Sequence, residues 1–351
     1  MNRKKYTQAL GTGHIGDSNT KEQNSKRNKK MKKYSITLLL MISIISSLFS
    51  QTNAQNSSIM ATTNTQSGNA MNGAYTYATV PTQFVAANGI KFAYRSYGKE
   101  GDDIPVIYFN HLTANLDNCD PRIMDAIASQ RHIISFDYRG VGATTGKQGT
   151  SIPDMAKDAI AFIHALGYKQ VDILAFSMGG FITQELLLVE PQLARQIILA
   201  GTGPRGGKGV SDVVGLTYKD IFKGIFTFRD PKFYLFFTQN EVGKAAARDF
   251  IKRLKERTEN RDKRVKLSVL SKQLKAIADW GHDAPADLNV FKQPVLVVNG
   301  DNDRMVPTPN SYDLAKRFTN SEIVIYPNSG HGGIFQYHEE FLKSALAFLA
   351  K

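Results

Sequence analysis

Short β-branched stretches alternate with longer amphipathic stretches along the chain from about residue 80. Strand and helix patterns that take turns in this way are typical of βαβ units, so they predict an α/β fold with a mostly parallel central sheet flanked by helices. Before residue 203 the predicted strands are Phe92–Tyr97, Ile104–Phe109, His132–Phe136, Val171–Ala175 and Gln196–Ala200, and the predicted helices are Asp120–Ser129, Ile152–Leu166 and Gly179–Val189. The alternation resumes with Val295–Asn299, Asp313–Phe318, Ile323–Tyr326 and a C-terminal helix at Phe341–Leu349.

Residues 203–285 interrupt the alternation. They are helix-rich, show no clear strand and carry aromatic clusters such as Tyr234, Phe236 and Phe237. A helical block inserted between two core strands would lie over the strand ends, so we expect a cap at about 203–285 on a catalytic domain that covers 80–351. The aromatic side chains are expected mainly to pack within the cap, and any that face down would line an apolar pocket.

The N-terminal part of the chain has the pattern of an exported protein. Residues 1–30 are polar without apolar periodicity, which indicates a disordered extension, and translation starting at Met31 would remove it. Residues 31–54 have a basic start, an apolar run at Ile36–Phe49 and small residues after it, and so predict a cleaved secretory signal peptide. A spanning helix needs about 20 apolar residues, so an uncleaved membrane anchor is the alternative. Residues 55–79 are expected to form a linker, and the protein to be periplasmic or secreted.

The charge of the chain is concentrated at this N-terminus. The formal net charge is +13, and residues 1–54 contribute +8 of it. The basic run Lys252–Lys266 also contains acidic residues, and it predicts a solvated helix face rather than a nucleic-acid-binding surface. Cys119 is the only cysteine, so no internal disulfide can form, and we expect a packed thiol.

A candidate nucleophile stands between a predicted strand and a predicted helix. Ser177 follows the strand Val171–Ala175 and precedes Met178 and two glycines. A nucleophile elbow needs small residues around its serine because the sharp turn brings the flanking backbone close together. Ala175 takes the place of the usual first glycine and is small enough for that role. The alternative is an ordinary turn in which the serine caps the following helix.

Further segments resemble those of α/β-hydrolases, and the resemblance extends from about Val80 to Lys351. The chain before the nucleophile strand has an Asp-x-Arg-Gly-x-Gly stretch, and later segments resemble the family's acid turn and histidine loop. The three segments are Asp137–Gly142, Val295–Pro307 and Ser329–Gly332. The order Ser, Asp, His is the one that this fold uses. The resemblance implies a serine esterase or a cofactor-free haloperoxidase.

The same resemblance implies a role for each member of a triad. His331 would accept the proton of Ser177 as the hydroxyl attacks a carbonyl, and Asp303 would orient the imidazole and stabilise its charged form. Asp301 is the rival acid, but similar proteins place the acid three residues after the glycine that stands here at Gly300, which selects Asp303. Asp301 would then be a turn residue.

An oxyanion site needs two backbone N–H groups. The resemblance assigns one to Met178 and the other to Leu112, in the loop after the strand Ile104–Phe109. The family commonly has His-Gly at this loop, whereas this chain has Asn110-His111. His111 is therefore either a structural residue or a residue that points into the site.

The motifs favour hydrolysis of a carboxylic ester or related small acyl compound through an acyl-enzyme. Peracid formation by a perhydrolase and hydrolysis of a carbon–carbon bond are the alternatives that share the triad. A non-catalytic binding protein is the alternative of another class. The chain shows neither ligand spacing for a metal nor a dinucleotide fingerprint, so no cofactor is expected.

Overall fold

The computed structural model describes residues 75–99, 101 and 104–351. The predicted extension, the signal peptide and residues 55–74 of the predicted linker lie outside the described residues. Tyr77, at the end of that linker, is buried, its N–H donates to Asp125 and its hydroxyl donates to the carbonyl of Leu116. The packed chain therefore begins before residue 80.

In the described ranges, eight strands form one sheet: β1 (Gln83–Ala87), β2 (Ile90–Gly98), β3 (Val106–Phe109), β4 (His132–Phe136), β5 (Val171–Phe176), β6 (Ala194–Ala200), β7 (Val295–Gly300) and β8 (Ser321–Tyr326). Their order across the sheet is β1-β2-β4-β3-β5-β6-β7-β8. The pairs β1–β2 and β2–β4 are antiparallel and every other pair is parallel, which confirms the mostly parallel central sheet. Every residue of β3, β5 and β7 is buried, as expected for strands covered on both faces.

Helices follow most strands, and the first two, α1 (Pro121–Ala128) and α2 (Ile152–Ala165), each begin after a residue whose side chain caps the helix. The side chain of Asp120 accepts from the N–H of Arg122 at the start of α1, and that of Ser151 accepts from the N–H of Asp154 at the start of α2. The helices outside the cap are α1 (Pro121–Ala128), α2 (Ile152–Ala165), α3 (Met178–Val189), α8 (Pro309–Arg317), α9 (Gly333–Gln336) and α10 (His338–Leu349).

Between β6 and β7 the chain forms the helical cap. Its helices are α4 (Val213–Phe226), α5 (Lys232–Leu235), α6 (Glu241–Arg253) and α7 (Leu267–Trp280). Within the described ranges, none of the helices combines the length and the apolar character needed to cross a membrane.

The basic run at Lys252–Lys266 is not simply a solvated face, and that expectation was wrong for two of its arginines. Arg253 is buried and its guanidinium forms an ion pair with Asp120 at 2.7 Å. Arg257 is buried as well and donates to the carbonyl of Tyr77 at 2.9 Å. Buried arginines need such partners because an unpaired buried charge is very costly. These two cations therefore connect the cap to the rest of the domain.

The loops after β3, β5, β7 and β8 leave one edge of the sheet. Ligands of open α/β sheets bind outside the carboxyl ends of the strands. Ser177 follows β5, Asp303 follows β7, His331 follows β8 and Leu112 follows β3, so the topology collects all four residues at this edge.

Candidate active site

Ser177 occupies a sharp turn between β5 and α3. Its backbone has φ 56° and ψ −118°, in a region that residues other than glycine rarely adopt. A Cβ at Gly179 would overlap the carbonyl of Phe109, and one at Gly180 would overlap the side chain of Thr202. The two glycines let α3 start directly after the serine, so the local chain has the geometry of a nucleophile elbow.

His331 and Asp303 are in direct contact, although they come from loops after different strands. Nδ1 of His331 lies 2.8 Å from Oδ2 of Asp303, and both side chains are buried. The other carboxylate oxygen, Oδ1, accepts the backbone N–H groups of Met305 at 2.8 Å and Val306 at 3.0 Å. These two bonds fix the carboxylate, which then orients the imidazole with Nε2 on its opposite side.

Asp301, the rival carboxylate, has a different set of partners. It is exposed, and its Oδ1 accepts from the backbone N–H of Ser329 at 3.1 Å and from the amide of Asn302 at 2.7 Å. Its carboxylate thus joins the turn after β7 to the loop that precedes His331. Of the two acids, only Asp303 hydrogen-bonds the imidazole of His331.

Ser177 and His331 border the same short segment at the end of β6. The N–H of Ser177 donates to the carbonyl of Ala200 at 2.8 Å, and a Cβ at the next residue, Gly201, would lie 3.3 Å from Cε1 of the His331 ring. Nε2 of His331 is buried without a hydrogen-bond partner in the described part of the chain, so its bond to the Ser177 hydroxyl is not formed in this conformation. Catalytic hydrogen bonds commonly tighten only when substrate binds.

The N–H groups of Leu112 and Met178 are available for an oxyanion. In the loop after β3, the N–H of His111 donates to the side chain of Asn110, and the N–H of Thr113 donates to Oε1 of Gln273. Leu112 is the residue between these two. Met178 is the first residue of α3, where an N–H has no acceptor within the helix. Neither N–H donates a hydrogen bond to another residue of the described ranges.

The alpha/beta hydrolase fold family model matches residues 104–336, about two thirds of the chain. The chain belongs to the α/β-hydrolase fold family. An alpha/beta hydrolase fold protein from Chitinophaga pinensis is 37% identical, with a TM-score of 0.73, and the match covers 78% of this chain and 99% of that protein.

Curated α/β-hydrolases are more distant in sequence. A bromoperoxidase-like protein from Mycobacterium tuberculosis is 25% identical over 236 residues, which are 64% of this chain and 85% of the relative. A pimeloyl-acyl-carrier-protein methyl ester esterase from Aliivibrio salmonicida is 24% identical over 232 residues, which are 65% of this chain and 85% of the relative. Members of the family thus carry different chemistries on one fold.

His111 forms part of the wall of a cavity. The cavity has a volume of about 260 Å³ and is also bordered by Ser177 and Leu112. Most of its other wall comes from the cap. The apolar residues of this wall include Ile221, Leu235, Phe236, Leu267 and Leu270, and its charged residues are Asp230, Lys232 and Lys266. The sequence left open whether His111 is structural or points into the site, and the structure places it at the cavity.

Phe236 is the cap residue that packs most directly on the candidate site. Its ring lies 5.0 Å from that of His111 and 5.5 Å from that of His331. Its carbonyl accepts the N–H of Gly332 at 2.7 Å, next to His331. The aromatic cluster that was expected mainly to pack within the cap therefore also covers the histidine loop.

Gln273 is a residue of the site that sequence reasoning missed. It lies on α7 of the cap, is fully buried, and its Oε1 accepts the N–H of Thr113 at 2.7 Å. Thr113 has φ 58°, an unfavourable value for a β-branched residue. Gln273 and Thr113 are 160 positions apart, so no local pattern could have shown the contact.

Cys119 is a packed thiol in the structure. It is fully buried and does not line the cavity beside Ser177. Burial raises the pKa of its thiol well above the ordinary value, which keeps the sulfur protonated. A protonated, inaccessible thiol is a poor nucleophile.

Proposed function

We propose that the protein is a serine hydrolase that cleaves a small carboxylic ester or related acyl compound through an acyl-enzyme on Ser177. The observation that carries the proposal is the His331–Asp303 pair, held at 2.8 Å beside a serine with elbow geometry. Membership of the α/β-hydrolase family and the similarity to an ester hydrolase support it.

In the proposed acylation, Nε2 of His331 takes the proton of the Ser177 hydroxyl as Oγ attacks the ester carbonyl. The imidazolium that forms keeps its Nδ1–H on the carboxylate of Asp303, which stabilises the positive charge. The carbonyl oxygen becomes negative and accepts the N–H groups of Leu112 and Met178. His331 then gives its proton to the leaving alcohol.

Deacylation repeats these steps with water in place of the serine. His331 takes a proton from the water as the water oxygen attacks the acyl carbon, and it returns the proton to Oγ of Ser177 when the acid leaves. The chain needs no other titratable group for this cycle. The cavity volume of about 260 Å³ favours a small acyl group, and the apolar residues that make up most of the cap wall favour an apolar one.

Peracid formation is the second candidate. The bromoperoxidase-like relative and the resemblance of the Phe176–Gly180 elbow to cofactor-free haloperoxidases favour it. In that reaction hydrogen peroxide replaces water in the attack on the acyl-enzyme and a peracid leaves. Hydrolysis of a carbon–carbon bond would use the same three side chains, whereas a binding protein would need none of their chemistry.

A fluorophosphonate probe tests the proposal because it reacts covalently with activated serines. Wild-type protein should be labelled, and the Ser177→Ala variant should not. A panel of esters graded by acyl length, with and without hydrogen peroxide, then separates ester hydrolysis from peracid formation. If the wild-type protein resists the probe and turns over no ester, it is a binding protein or a hydrolase of another type.

A further inference from the structure

His111 is held in one orientation beside the proposed nucleophile. Its side chain is buried, and its ring packs edge-on against Phe176 and Phe236 at interplanar angles of 83° and 89°. Two perpendicular aromatic contacts restrict rotation of the imidazole. The direction of each ring nitrogen is therefore fixed by the fold.

The tautomer of His111 is set by its neighbour. Nδ1 lies 2.8 Å from the carbonyl oxygen of Leu112, and a carbonyl only accepts hydrogen bonds, so Nδ1 carries the hydrogen. Burial, and next to it the positive charge of Lys232, lower the pKa of His111 to about 3. The ring is then neutral over the whole working range of pH, and Nε2 presents only a lone pair.

That lone pair has no partner in the part of the chain that the structure describes. Nε2 of His111 is buried and accepts no hydrogen bond from these residues. His111 lines the cavity that also contains Ser177. Most of the cavity wall is apolar, and its charged residues are Asp230, Lys232 and Lys266. A buried acceptor without a donor is costly, so a ligand that brings a donor is favoured over one that does not.

We propose that Nε2 of His111 accepts a hydrogen bond from a hydroxyl group of the substrate, placed within a few bonds of the scissile carbonyl. This inference rests on the proposed function and narrows its substrate class to hydroxy esters. The hydroxyl sits on the acyl chain or on the alcohol. A site that hydrogen-bonds a substrate hydroxyl discriminates strongly against analogues that lack it, because its buried polar group is then left unpaired.

Matched esters test the inference in two arms. The acyl arm compares propyl 3-hydroxybutyrate with propyl 3-methoxybutyrate, and the alcohol arm compares 2-hydroxyethyl butyrate with 2-methoxyethyl butyrate. Methylation removes the donor and keeps the oxygen. The wild-type enzyme should prefer the hydroxy ester in one arm by about tenfold or more in kcat/KM. Equal values in both arms would overturn the inference.

Two variants of His111 and one control variant test whether His111 is responsible for the preference for hydroxy esters. His111→Phe removes the acceptor and should bring the hydroxy-to-methoxy ratio close to one, whatever happens to the absolute rates. His111→Gln keeps an acceptor near the position of Nε2 and should retain part of the ratio. Thr217→Val is the control: it removes a hydroxyl of the same cavity wall that also lacks a partner in the described ranges, and it should retain the ratio fully. A full preference in His111→Phe contradicts the assignment.

A binding measurement separates this inference from the proposed function. Ser177→Ala protein keeps His111, so calorimetry can compare its affinity for the hydroxy and methoxy esters without turnover. Tighter binding of a hydroxy ester, lost in the Ser177→Ala, His111→Phe double variant, supports the inference even if no ester is hydrolysed. Equal affinities overturn it, even if the wild-type protein proves to be an active esterase.

Discussion

Nδ1 of His331 lies 2.8 Å from Oδ2 of Asp303, whereas Asp301, two residues earlier, bonds the backbone of Ser329. The two carboxylates of one turn thus have separate tasks. Asp303 holds an imidazole, and Asp301 joins two loops. Both can be changed to asparagine without a change in side-chain shape, which makes them a matched pair.

Asp303→Asn should cut the turnover of a short-chain ester by up to about 10⁴-fold, because the amide favours the wrong imidazole tautomer and cannot stabilise the imidazolium. Asp301→Asn should lower the turnover rate far less, since its amide oxygen can still accept the backbone N–H of Ser329. Steady-state rates of both variants, measured beside wild type, show which of the two aspartates is the triad acid. If Asp301→Asn is the more damaging change, Asp303 is not the triad acid.

Gln273 should act on the rate through the loop that carries Leu112. Gln273→Leu removes the acceptor of the Thr113 N–H and should lower kcat by about tenfold with a smaller change in KM, because the oxyanion donor is stabilised mainly against transition-state charge. Gln148→Leu is the control, since it removes only the partner of Gln273 Nε2, at 3.3 Å. Equal losses of kcat in the two variants would show that general packing, not the loop anchor, is responsible.

The buried Asp137 and the half-buried Asp262 should make stability depend on pH. A Cβ at Gly142 would overlap one oxygen of each, so the two carboxyl groups converge on that glycine. Burial, and next to it the negative charge of Asp262, raise the pKa of Asp137 well above its ordinary value. The folded protein then keeps a proton that the unfolded chain loses near pH 4, and stability falls as pH rises above that value.

Asp137→Asn removes this proton linkage while keeping the shape of the side chain. The stability of the variant relative to wild type should therefore increase from pH 5 to pH 8, because only the wild-type protein must bind this proton in its folded state. Urea unfolding at pH 5 and at pH 8 measures the free energy of unfolding of both proteins. The Asp301→Asn variant is the control, because Asp301 is exposed. A difference from wild type that is the same at both pH values would contradict the assignment.

Export remains a proposal from the N-terminal pattern, and it predicts a mature chain that begins near Gln55. Intact-mass analysis of protein from the native host measures this directly. The exported fraction should lack residues 31–54, since signal peptidase cuts after small residues. Soluble protein that keeps this segment would argue against a cleaved signal.

Most of the sheet could be predicted because its strands are buried and strongly apolar. The strand His132–Phe136 has the predicted bounds, and Val171–Phe176 differs by one residue. Strand β1, Gln83–Ala87, was missed, since it is a largely exposed edge strand without apolar alternation. The burial of Arg253 was also missed, because its partner Asp120 is 133 positions away.

The order of the motifs predicted which residues meet at the edge of the sheet, but not how the intervening loop is held. The position of Leu112 followed from alignment of the loop after β3. The direction of His111 depends on Phe176 and on the cap residue Phe236, and tertiary packing of this kind has no local signal in the sequence.

The most direct test of the account is the turnover of one short-chain ester by wild type and Ser177→Ala, measured with thermal unfolding of both. The hydroxyl of Ser177 supplies the nucleophile and little packing, so the variant should melt as wild type does and lose about 10⁴-fold or more in rate. A well-folded Ser177→Ala protein that keeps more than about a tenth of the wild-type rate would contradict the assignment of Ser177 as nucleophile.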